Sequence, residues 1–138
     1  MRKRVVILAS GTGSITQTMI DATELDIQII AVVSDKADAK VLDRARQAKI
    51  NTSVIELKDD RAAWDKQLFD QVNQYQPDLV ISAGFMKILS ADFVNFFPTI
   101  NSHPALLPDF PGAHAVRDAL AAGVTVTGVT VHWVDAGV

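Results

Sequence analysis

Of the three histidines in this 138-residue chain, His103 lies in TINSHPALLPDFPGAH, where an apolar run ends against proline. Alternation along a strand puts Asn101 and His103 on one face and Ser102 on the other, so an amide and an imidazole reach the same ligand. Pro104 stops the strand and biases His103 towards an extended backbone. Two such side chains can hydrogen-bond a carbonyl oxygen and share in proton transfer. The alternative is an asparagine and a histidine that only satisfy the backbone of a proline-rich loop. The strand-end position, where α/β proteins keep their chemistry, favours function.

A second candidate is SGTGSITQTMIDA, residues 10–22. Glycines ahead of a helix let a ligand approach its N-terminal N–H groups, which attract a phosphate. The pattern GxxxxGK[ST] is absent, and GxGxxG fails because Gln17 stands near the third glycine position. A phosphate site and a plain tight turn therefore both fit, and Ser14 is expected to cap the helix in either case. The loop GFMKIL, residues 84–89, is either a ligand wall or a turn that covers the core. His114 reads as a loop hydrogen-bonder and His132 as a structural strand residue. No histidine pair has metal-site spacing, so no metal is expected. Without a GxSxG elbow, a serine hydrolase is disfavoured.

These residues need a scaffold, and the pattern supplies one. Apolar runs at 4–10, 27–34, 51–57 and 78–84 alternate with helical patterns over 14–25, 38–48 and 60–75, the last with Trp64, Leu68 and Val72 on one face. Ser90 is expected to cap a short helix through Phe96. A strand at 99–103, a helix over 113–123 ended by Gly123 and a last strand over 124–134 follow. Strands apolar on both faces and joined by helices predict a doubly wound, mainly parallel α/β sheet covered on both sides. Ligands then sit beyond the carboxyl ends of the strands, at residues 10–14, 34–36, 84–89 and 101–103.

The bulk composition agrees with one domain over residues 1–138. Hydrophobic residues make up 49% and charged residues 21%, which fits a globular protein. No apolar run approaches the roughly 20 residues that span a bilayer, and MRKRVVILASG lacks the form of a signal peptide. The absence of cysteine suits the cytoplasm. A net charge of −3 argues against a non-specific grip on nucleic acid. Neither nucleic acid nor a membrane is expected as a partner.

Five segments, SGTGSITQTMIDA, SDKADAKVLDRARQA, PDLVISAGFMKILS, INSHPALLPDFPGAH and GVTVTGVTVHWVDAGV, together resemble the glycinamide ribonucleotide formyltransferases of purine synthesis. The most specific block is NSHPALLPDFPGAH, similar to that family's Asn-x-His-Pro-x-Leu-Leu-Pro signature. The resemblance implies a Rossmann-like formyltransferase fold and transfer of a formyl group from 10-formyltetrahydrofolate to the amine of glycinamide ribonucleotide, without a metal. It implies that Asn101 bonds the formyl oxygen, and that His103 stabilises the oxyanion and assists proton movement. Gly13, Ser14 and the N–H of Ile15 would receive the substrate phosphate, although the family commonly has asparagine where Ile15 stands. Met86, Lys87, Ile88 and Leu89 match the loop that holds the folate pterin, Lys87 replacing a frequent arginine. Arg61 aligns with an arginine near the folate tail.

In the resembled family an aspartate that pairs with the catalytic histidine follows the segment matching DAGV, and a further strand and a C-terminal helix come later. The expectation is that residues 1–138 alone are inactive or severely impaired; multiple turnover by the purified chain contradicts it. Methionyl-tRNA formyltransferase and formyltetrahydrofolate hydrolase share the Asn-x-His core, but they carry a tRNA-binding or an N-terminal regulatory domain that is not visible here. A non-catalytic nucleotide-binding module would need neither Asn101 nor His103. A homodimer, with a second copy covering the last strand's open edge, is also left open.

Overall fold

The computed structural model describes residues 2–102 and 131–133. In chain order its elements are β1 (Lys3–Leu8), α1 (Ser14–Asp21), β2 (Ile27–Ser34), α2 (Lys40–Gln47), β3 (Asn51–Val54), α3 (Arg61–Tyr75), β4 (Leu79–Ala83), α4 (Ala91–Phe96), β5 (Thr99–Ser102) and β6 (Val131–Trp133). They form one six-stranded sheet in the order β3-β2-β1-β4-β5-β6. The first five strands run parallel to their neighbours, and β6 pairs antiparallel with β5.

Burial follows the position of each strand. Central β1 and β4 bury Val5, Val6, Ile7, Leu8, Val80 and Ile81 completely, because helices cover both faces. Successive side chains point to opposite faces. Val5, Ile7, Val32 and Ile81 therefore pack with Met19 of α1 and with Val41, Leu42 and Ala45 of α2. Val6, Leu8, Val33 and Val80 pack with Trp64, Leu68 and Val72 of α3 and with Phe93 of α4. Terminal β3, with the sequence NTSV, is short and polar, which suits a sheet margin.

The helix boundaries have local causes. Asp60 accepts from the Ala63 N–H at 3.2 Å, and Ser90 accepts from the Phe93 N–H at 3.2 Å, as side-chain caps of α3 and α4. Trp64 anchors α3 by donating its indole N–H to the Ile55 carbonyl at 2.6 Å. Helix α1 ends at Asp21, short of the expected residue 25. There the Thr23 and Leu25 N–H groups turn back to the Asp21 and Ala22 carbonyls. The expected helix over 113–123 and most of the last strand lie outside the described residues.

Strand order decides where a ligand can sit. From β1 the chain winds outward through β2 to β3, then returns to β4 on the other side of β1 and proceeds to β5. The β1/β4 boundary is thus the topological switch point, where the loops leaving the two strands separate and open a crevice. Ser10 follows β1 and Gly84 follows β4, and the Ser10 N–H donates to the Gly84 carbonyl at 3.3 Å.

Candidate active site

The glycine loop forms one lip of the crevice. Gly13 is the N-cap residue of α1 and has a left-handed backbone, φ 81°. A Cβ at Gly13 would stand 2.5 Å from Val41 Cγ2, so this position excludes every side chain. Ser14 begins the helix and makes no side-chain cap, contrary to the expectation; the left-handed turn at Gly13 takes the capping position itself. The loop carbonyls are held by α2, Gly11 accepting from the Val41 N–H at 3.1 Å and Thr12 from Arg44 Nε at 2.6 Å. The first-turn N–H groups of α1, including those of Ser14 and Ile15, have no carbonyl within the helix to bond. With the Arg44 guanidinium beside it, this lip favours an anion.

The other lip is the β4–α4 loop. A cavity of about 330 Å³ is lined by Ser82, Phe85, Met86, Lys87, Ile88, Leu89 and Asn101. The structure therefore brings Met86, Lys87, Ile88 and Leu89 together with Asn101 of β5, which pairs with Ser82 in the adjacent strand. Met86 and Ile88 are 70% and 72% exposed, an arrangement that offers apolar surface to a ligand. A wall of Phe85, Met86, Ile88 and Leu89 interrupted by Ser82, Lys87 and Asn101 suits a flat heterocycle with polar edges. His103 lies outside the described residues.

Three charged groups fix this loop. Asp35, at the carboxyl end of β2, has a fully buried side chain. One of its oxygens accepts from Lys87 Nζ at 2.6 Å and the other from Ser10 Oγ at 2.6 Å. Ser10 Oγ in turn accepts from the Met86 N–H at 2.8 Å. Burial by itself would raise the Asp35 carboxyl, but the Lys87 ammonium, the Ser10 hydroxyl and a backbone N–H outweigh it and hold the carboxyl below its usual value. On the opposite side Arg61 donates to the Ile88 carbonyl, pairs with Asp65 at 2.8 Å and lies 4.8 Å over the Trp64 ring.

Lys87 lines the cavity, whereas Arg61 reaches the loop only from outside it. Their charges are engaged by the protein, Lys87 by Asp35 and Arg61 by Asp65 and a loop carbonyl, and Arg61 is not among the residues that line the cavity. Asp35 and Ser10 are the residues that pattern reading did not single out for a role. Both stand at strand ends facing the switch point, which marks their location, but Asp35 lies 52 positions from Lys87 and no spacing rule connects them.

A family model described as formyl transferase matches residues 3–138. The phosphoribosylglycinamide formyltransferase of Mycobacterium tuberculosis H37Rv is 46% identical over 140 residues, an alignment that covers 97% of this chain and 65% of that protein. Its counterpart in Escherichia coli K12 is 44% identical over 137 residues, covering 94% and 65%. The chain therefore spans about 65% of the length of these curated relatives. The crystal structure of glycinamide ribonucleotide transformylase 1 from Symbiobacterium toebii superimposes with a TM-score of 0.78 at 38% identity, covering 99% of this chain and 68% of that one.

Proposed function

The chain belongs to the formyl transferase family, and from that membership we propose that it serves transfer of a formyl group from 10-formyltetrahydrofolate to the amine of glycinamide ribonucleotide. The observation that carries this reading is the cavity in which Met86–Leu89, from the β4–α4 loop, and Asn101, from β5, meet beside the glycine loop. Its apolar wall fits a pterin-like ring, and the α1 N-terminus fits a phosphate.

The folate supplies the formyl group; the chain supplies the following contacts. Gly13, Ser14 and the Ile15 N–H hold the substrate phosphate. Peptide groups of Met86 to Leu89 orient the folate ring, and Arg61 acts on it through the Ile88 carbonyl. Asn101 donates its amide N–H to the formyl oxygen, and His103 takes the oxyanion-stabilising and proton-moving role that the family resemblance assigns it. One oxyanion donor is worth about 3–4 kcal/mol of barrier. Partners in this reading are small molecules in the cytoplasm.

Binding tests the reading directly. Asn101→Ala is expected to remove most of the preference for 10-formyltetrahydrofolate over tetrahydrofolate, roughly three- to tenfold for one hydrogen bond, measured by calorimetric titration. Equal discrimination by wild type and variant would contradict the assigned role.

A further inference from the structure

Phe85, stacked on Trp64, and Leu89 pack the cavity-lining loop against the core at its two ends, but between them Met86 and Ile88 expose most of their surface. Packing alone does not fix the stretch between those two anchors. Gly84, with φ 75°, turns the chain out of β4, and the next residues are tied down by polar contacts from three other elements. We propose that Ser10, Asp35 and Lys87 form a partly buried clasp that positions the Met86–Ile88 peptide groups for the ligand, with Arg61 closing the opposite side.

The hydrogen-bond polarity of the clasp is fully determined. An ionised carboxylate only accepts, so Ser10 must spend its single hydroxyl proton on Asp35 and present a lone pair to the Met86 N–H. Loss of the Asp35 charge weakens that bond, so the hydroxyl is free to turn and holds the Met86 N–H less firmly. Asp35 therefore acts on the loop at two points, through Lys87 directly and through Ser10 on the Met86 peptide. Because Ser10 also begins the glycine loop, the clasp joins the two lips of the crevice. It also neutralises the Lys87 charge, so the cavity favours an uncharged, hydrogen-bonding ring over an anionic group. Ser10 and Asp35 are positioning residues: they touch the loop and not the ligand.

The clasp is tested in the free protein first, and its effect on ligand selection, which rests on the proposed folate reading, second. Amide hydrogen exchange should show the Met86 N–H protected in wild type and exchanging about tenfold faster in Ser10→Ala and Asp35→Asn. The Val80 N–H, bonded to the Pro98 carbonyl at 2.8 Å in the core, should be unchanged. In titrations the Kd for 10-formyltetrahydrofolate should rise about tenfold in both variants, and that for glycinamide ribonucleotide less than twofold.

An unprotected Met86 amide in wild type overturns the clasp. So does equal acceleration at Met86 and Val80, which would mean general destabilisation. If Asp35→Asn does not fold, Ser10→Ala, which removes only one oxygen, carries the same comparison. Faster exchange at Met86 with no folate binding by any variant, wild type included, upholds the clasp and overturns the folate reading alone.

Discussion

Asp35 is the residue whose chemistry reaches furthest through the site. Its carboxyl is held below the ordinary value near 3.8 by Lys87, Ser10 and a backbone N–H against the opposing effect of burial. In the unfolded chain it takes up a proton near the ordinary value, whereas the native protein does so only at lower pH. The stabilisation is therefore complete above that ordinary value, and it fades as pH falls below it towards the native one. Asp35→Asn should cost roughly 2–3 kcal/mol at pH 7, and the difference from wild type should shrink at pH 3, measured by urea unfolding at both values. A difference unchanged between the two would mean that Asp35 is not ionised in the way its partners require. The glycines provide a second contrast at this scale. Gly13→Ala combines a left-handed backbone with a clash against Val41 and should cost roughly 2–4 kcal/mol. Gly11→Ala, with nothing within 4 Å of the added carbon, should cost under about 1 kcal/mol.

At the scale of elements, α3 shows how much a periodic pattern can reveal. Trp64, Leu68 and Val72 recur at helical spacing, and all three are buried against the sheet. Leu68→Ala should destabilise by about 2–5 kcal/mol with an unchanged denaturant slope, because it leaves a cavity beneath the helix. The apolar strands and the Ser90 cap were legible for the same reason: each signal is local. What was not legible depends on approach between distant segments. Val41, 28 positions away, leaves no room for a side chain at Gly13, whose left-handed backbone takes the capping position in place of Ser14. The antiparallel return of β6 is likewise a matter of long-range pairing. Within the site, Met86–Leu89 and Asn101, which the family resemblance names, line one cavity. The engagement of Lys87 by Asp35 was not legible, since no sequence spacing encodes it.

For the whole molecule, the strand order places a phosphate-suited helix terminus and an apolar, amide-bearing cavity on adjoining lips of one switch-point crevice. In the proposed reaction the two ligands would then be held side by side, which is where an enzyme gains by orientation. Under that proposal the two lips take different ligands. Amide hydrogen exchange of the same sample, recorded with glycinamide ribonucleotide alone and with 10-formyltetrahydrofolate alone, tests it most directly. The account predicts added protection at residues 13–15 with the ribonucleotide and at residues 86–89 with the folate. Protection of both segments by one ligand and of neither by the other, or of neither segment by either, would contradict it.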